Sequence, residues 1–164
     1  MARREHTEGP ETVESAPEGH VIVSEQLREL SDDDLAALQS FIPDALNSQS
    51  AEGMAEYLPD IVSADSAALF VVRNPAGRIV GATVANIDYC MSKRRGKIDD
   101  VAVDSEWRRQ GYASTVLDDA LAWLRAQGVA KVQLNSEHEL VEAHALYRSR
   151  GFELYDTNVF VLKF

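Results

Sequence analysis

The sequence predicts one α/β (α+β) domain, a mixed and mostly antiparallel sheet of about six or seven strands flanked by about four helices. Three observations carry this expectation. The chain has 164 residues, 45% of them apolar, which suits a single domain with its own core. The apolar residues follow helical spacing before residue 65 and then alternate between residues 67 and 103. From residue 111 onward, helical and strand patterns take turns.

Residues 1–19 are rich in Glu, Pro, Gly and Ser and have little to bury, so they read as a flexible acidic tail before a domain over residues 20–164. Residues 21–23 form a short β-branched run, readable as a first strand. Ser31 is then a helix N-cap, with Asp32, Asp33 and Asp34 favoured in the first turn, and Leu35, Leu38, Phe41 and Ile42 recur at helical spacing. A weaker helix covers residues 51–61, interrupted near Pro59. Residues 67–72 and 79–89 read as a hairpin about the turn Asn74-Pro75-Ala76-Gly77. Residues 92–96 read as a basic turn.

Residues 98–103 are a further strand, with Asp99, Val101 and Val103 expected on one face and Ile98, Asp100 and Ala102 on the other. The strongest helix spans residues 111–127, where Ala113, Val116, Leu117, Ala120, Leu121 and Leu124 make an apolar stripe that Gly128 terminates. A strand over 129–134, a helix over 139–150 ended by Gly151, and two strands over 152–155 and 159–164 complete the order.

Charge is unevenly spread. Residues 1–65 carry three basic side chains against fifteen acidic ones, a net of −12, whereas residues 66–164 are close to neutral at +1. A total of −11 argues against a nucleic-acid partner. No run approaches the roughly 18 apolar residues of a spanning helix, and the first ten residues lack a secretory h-region. A membrane partner is therefore not expected. Cys90 is the only cysteine, which excludes an internal disulfide and agrees with a reducing, cytoplasmic setting. His138 and His144, six apart, do not share a helix face, so no metal site is expected.

The informative stretch runs from Val101 through Ala102, Val103 and a short polar loop (Arg108, Arg109, Gln110, Gly111) into Tyr112, Ala113 and Ser114 at the start of the strong helix. Open N–H groups and the positive end of the helix dipole converge there, which makes the turn an anion site. Gly111 lets a diphosphate approach the backbone, and Arg108 and Arg109 add positive charge. Neither G-x-G-x-x-G nor G-x-x-x-x-G-K-[ST] occurs, so this is not a Rossmann or Walker turn.

Arg108-x-x-Gly111-x-Ala113 after a strand resembles the acyl-CoA signature [RQ]-x-x-G-x-[GA] of the GCN5-related N-acetyltransferase (GNAT) family. Ala143-x-x-x-Tyr147-x-x-x-Gly151-Phe152 is similar to that family's second hallmark. The resemblance spans about residues 20–164. It implies acetyl-CoA as the acyl donor, its pantetheine arm pairing with the strand that holds Val101, Ala102 and Val103. The diphosphate would sit on Arg108 to Ser114, with Asn135 beside the cofactor or acceptor. It further implies direct attack of a primary amine on the thioester, and it allows a homodimer.

Tyr147 matches the family's usual acid, and a phenol of reference pKa about 10 can protonate a thiolate at neutral pH. Asp99 stands nine residues before the signature arginine, where many relatives place a carboxylate; Asp100 is the next candidate base, either of them acting directly or through water. Leu140 departs from the Asn that relatives often carry seven residues before the tyrosine, while His144 lies one turn before Tyr147.

The reading is an acetyl-CoA-dependent N-acetyltransferase whose acceptor is a small cationic amine or a protein or peptide amine. The alternative is a non-enzymatic acyl-CoA-binding sensor of the same fold. The acidic stretch 21–65, net −9, suits a cationic acceptor.

Overall fold

The computed structural model describes residues 20–47 and 53–164; the tail expected over 1–19 and the start of the helix expected at 51 lie outside them. The chain divides into two units, residues 1–133 and 134–164. The first holds the sheet.

Helix α1 (Asp32–Ala45) begins where its cap predicts: the Asp34 N–H donates to Ser31 Oγ at 3.1 Å, and three aspartates occupy the first turn. Helix α2 (Met54–Ser63) follows, shifted toward the C-terminus of its expected span. The first strand, β1 (Ser24–Leu27), lies beyond the Val21–Val23 run. Register decides this. Leu27 pairs with Leu69 and enters the core, whereas Val21 and Val23 stay exposed.

Strands β2 (Ala67–Arg73), β3 (Ile79–Cys90) and β4 (Lys93–Val103) form an antiparallel meander. The expected basic turn at 92–96 is strand instead. Met91 and Ser92 suffice for the turn, and Lys93, Arg94 and Arg95 pair with Cys90, Tyr89 and Asp88. Arg73 ties three elements together, donating to Glu25 of β1 at 2.7 Å and to Asp34 of α1 at 2.8 Å.

The two sheet faces are covered by different helices. Leu69, Val71, Ala82, Val84 and Ala102 share one core with Leu38 and Phe41 of α1 and Leu58 of α2. On the opposite face Phe70 meets Trp123 of α3 (Tyr112–Ala126) edge to face, with ring centroids 6.3 Å apart. Burial of each Leu, Val and Phe side chain among these supplies about 1.5–3 kcal/mol toward folding.

Strand β5 (Val132–Gln133) joins β4 in parallel through only two pairs, Gly96 with Val132 and Lys97 with Gln133. Past Lys97, the β4 edge turned away from β3 has no strand partner among the described residues. Gly96 is small because a Cβ there would lie 2.9 Å from Val129 and 3.1 Å from Leu124 and Val132.

In the second unit, α4 (Val141–Ser149) forms as expected, but residues 152–164 contain no strand. Among the described residues five strands therefore stand where about six or seven were expected, and the α/β class holds. Leu154, Tyr155, Val159, Phe160, Val161, Leu162 and Phe164 are all exposed. Their pattern records strand propensity, which becomes a strand only when a neighbouring ladder accepts it. No helix among the described residues is long and apolar enough to cross a membrane.

Candidate active site

β4 is not a regular ribbon. Ala82 pairs with Ala102 and Val84 with Asp99, so one residue of β3, Thr83, faces two of β4, Asp100 and Val101. This is a β-bulge, and Asp100 sits in it at φ 56°, a left-handed conformation uncommon for a side-chain-bearing residue. The bulge overturns the expected face assignment. Asp99 lies on the α1/α2 face with Val84 and Ala102, whereas Val103 pairs with Gly81 on the α3 face. An extra residue inverts every side chain beyond it, because the strand repeat is two residues.

Asp99 is heavily engaged. Lys97 Nζ lies 2.8 Å from one carboxylate oxygen, Asn86 Nδ2 donates to the other at 3.0 Å, and the Thr83 hydroxyl donates to the Asp99 carbonyl at 3.0 Å. Hydrogen bonding to Asp99 raises the Lys97 ammonium's pKa, and the charges of Asp99, Asp88 and Asp100 add to this. Asp100 has no hydrogen-bond or ion-pair partner among the described residues. Although it keeps access to solvent, loss of hydration around its carboxyl raises its pKa; the adjacent Asp99 charge adds to the rise and Lys97 opposes it. A carboxylate of raised pKa binds a proton more readily, as a base requires.

Beyond Val103, Asp104 turns the chain by accepting from Glu106 N at 3.1 Å, opening a short 3₁₀ turn, Ser105–Trp107. Trp107 and Tyr112, both buried, meet edge to face at 5.7 Å and pin the two ends of the loop. Arg108 folds back, its Nε donating to the Val103 carbonyl at 3.1 Å. Arg109 adopts φ 64° and Gly111 φ 96°. The first helical bond runs from Thr115 N to the Gly111 carbonyl at 3.0 Å, leaving the N–H groups of Tyr112, Ala113 and Ser114 outside the helical ladder.

The contrast with α1 is direct. α1 closes its N-terminus with Ser31 and three aspartates, whereas α3 has neither a side-chain cap nor an acidic residue in its first turn. An anion at α1 would meet carboxylates; at α3 it meets only amides and the helix dipole. Close approach is only part of the reason for Gly111, since its positive φ independently disfavours any Cβ.

Tyr147 and Asn135 belong to the second unit. Asn135, expected at a strand end, lies in irregular chain. The Tyr-x-x-x-Gly-Phe spacing has a local physical basis: Phe152 N donates to the Tyr147 carbonyl at 3.1 Å and Gly151 N to that of Arg148 at 3.0 Å. This is a Schellman termination, with the Tyr147 and Phe152 rings 6.0 Å apart as its apolar contact. Burial raises the Tyr147 phenol's pKa, so the hydroxyl keeps its proton at neutral pH.

Leu140, where relatives often have Asn, is the N-cap of α4 and offers no side-chain cap. Thr83 and Asn86 escaped the sequence reading, and Lys97 was read only as part of the solvated basic turn. The available signal was two polar side chains, Thr83 and Asn86, inside the apolar stretch Ile79–Ile87 of β3.

Residues 27–152 match the model of the Acetyltransferase (GNAT) family. The chain is 36% identical over 75 residues to human N-acetyltransferase 8, covering 46% of this chain and 33% of that protein. It is 27% identical over 95 residues to the mycothiol acetyltransferase of Propionibacterium freudenreichii subsp. shermanii, covering 58% of this chain and 30% of that protein. The chain thus spans about a third of the length of these curated relatives. A solved structure of AAC(6')-Iy with the bisubstrate analog CoA-S-monomethyl-acetylneamine superposes with a TM-score of 0.73 at 18% identity, over 88% of this chain and 99% of that one. At that identity the likeness concerns the fold.

Proposed function

The chain belongs to the acetyltransferase (GNAT) family, and on that premise we propose that residues 20–164 form an acetyl-CoA-dependent N-acetyltransferase domain acting on a primary amine. The observation that carries this reading is the continuous strand–turn–helix of β4 and α3. It joins an unpaired strand edge past Lys97 to an uncapped, acid-free helix N-terminus behind Gly111. The edge of Val101, Ala102 and Val103 takes the amide-rich pantetheine arm by main-chain pairing. The turn from Arg108 to Ser114 takes the diphosphate.

Of the two candidate bases, Asp100 is favoured, because both carboxylate oxygens of Asp99 are already committed. The ammonium form of the acceptor gives a proton to the Asp100 carboxylate, directly or through water. The free amine then forms a C–N bond at the thioester carbon, and the C–S bond breaks. The departing thiolate takes the Tyr147 phenol proton, and the second proton that the nitrogen sheds as the amide forms passes through water to the Tyr147 phenolate.

The acceptor is a cationic amine, small or at the surface of a peptide, attracted by the −9 charge of residues 21–65. AAC(6')-Iy, solved with an aminoglycoside-derived bisubstrate analog, is consistent with that class. The test is thiol release from acetyl-CoA with polyamines, aminoglycosides, amino acids and peptide N-termini, each at several salt concentrations. Turnover with a cationic acceptor whose KM rises with salt is expected. CoA binding without thiol release across the whole panel would replace the enzyme reading with a non-catalytic acyl-CoA-binding module.

A further inference from the structure

Asp99 is gripped from both sides of the sheet. Thr83, buried and on the α3 face, donates its hydroxyl to the Asp99 carbonyl where the bulge interrupts the ladder. Asn86 and Lys97, cross-strand partners on the α1/α2 face, hold one carboxylate oxygen each. The next residue, Asp100, is the one in the left-handed conformation. Such a conformation persists only where its surroundings over-determine it, and three bonds to the preceding residue do so.

We propose that Thr83, Asn86 and Lys97 are positioning residues that act through Asp99, a three-point clamp that holds the bulge and presents Asp100 as the base. The inference rests on the acetyltransferase reading with Asp100 as its base. It removes Asp99 from the proton transfer and gives it a holding role.

Charge makes the clamp visible in a pH profile. Asp99 and Lys97 act on Asp100 with opposite sign, Asp99 favouring its protonated form and Lys97 its ionised form. Other charges around β4 are directed elsewhere: β3's Asp88 acts on Lys97, α1's Asp34 holds Arg73, and α1's Asp44 faces a cleft beside Arg78 and Arg108. α3 turns Asp118, Asp119 and Arg125 to solvent, and β5 carries no charge.

The experiment measures kcat/KM against pH, and CoA affinity by calorimetry, for Asp99→Asn, Lys97→Gln, Lys97→Arg, Thr83→Val, Thr83→Ser and Asp100→Asn in the full chain. Asp99→Asn is expected to keep turnover within about tenfold of wild type, its acid limb displaced to lower pH. Lys97→Gln moves that limb to higher pH and Lys97→Arg restores it. Thr83→Val lowers kcat about tenfold with CoA affinity retained, and Thr83→Ser recovers it. Loss of more than about a hundredfold in Asp99→Asn makes Asp99 the base and overturns the clamp. Limbs that fail to move in opposite directions overturn it too. An Asp100→Asn variant with wild-type kcat removes the underlying base assignment instead, so the two failures are distinguishable.

Discussion

Replacing Gly111 with alanine tests the turn at its most specific point. Gly111 holds φ 96°, ψ −6°, and among the described residues the only atom near an added Cβ is Ile22 Cδ1 at 3.6 Å, an ordinary contact. The penalty is therefore conformational, about 1–2 kcal/mol for forcing an L-residue into the left-handed region. That penalty divides between two measurements. If the turn keeps its shape, denaturant unfolding reports the loss. If the free protein relaxes instead, the amides leave their binding geometry and CoA affinity falls, by about five- to thirtyfold for the same energy.

Gly128→Ala is the control, since φ is also positive (+75°) and nothing lies within 4 Å, but the residue stands past the far end of α3. It loses stability alone. The assays are chemical unfolding and calorimetric titration with CoA for both variants. A Gly111→Ala protein with wild-type stability and wild-type CoA affinity would remove the diphosphate turn from this account. So would an equal loss of CoA affinity in Gly128→Ala, which would reduce the effect to general destabilisation.

The remaining predictions concern the acid, the cap and an ion pair. Tyr147→Phe keeps the ring contact with Phe152 and the helix stop while deleting the proton; kcat should fall by about a hundredfold with CoA affinity unchanged, and an unchanged kcat would end the acid assignment. Ser31→Ala removes the only side-chain cap of α1 and should cost about 1 kcal/mol in denaturant unfolding; a loss below about 0.3 kcal/mol would mean that the aspartates of the first turn suffice. The Arg73 hydrogen bond holds Asp34 below its ordinary value of 3.8. A depressed folded-state pKa stabilises fully above the unfolded value and fades as pH falls through the folded one. Asp34→Asn should therefore be less stable than wild type at pH 7, with the difference shrinking below pH 3.8; a gap independent of pH would assign the effect to packing.

Legibility in the sequence tracked how local each feature is. Ser31, the 74–77 turn, the long amphipathic helix and the Arg108–Gly111 loop were readable, because caps, turns and helical stripes depend on residues within one or two turns of each other. The stop at Gly151 was readable for the same reason, whereas Tyr-x-x-x-Gly-Phe was read through its resemblance to a family hallmark; its bonds span Tyr147 to Phe152. The choice between Asp99 and Asp100 was not readable. It rests on Lys97 and Asn86 holding the Asp99 carboxylate, and Asn86, on the neighbouring strand, is adjacent to Asp99 only through the β3–β4 register.

By itself the sequence determined the α/β class, the start of α1 and the strand–loop–helix junction at Arg108–Gly111, since backbone chemistry at such a junction needs no distant partner. Only the tertiary structure decided which face each β4 residue occupies, how short β5 is, and that residues 152–164 form no strand. The physical reason is common to all three. A strand takes its register from its neighbour, and a single unpaired residue exchanges the two faces beyond it.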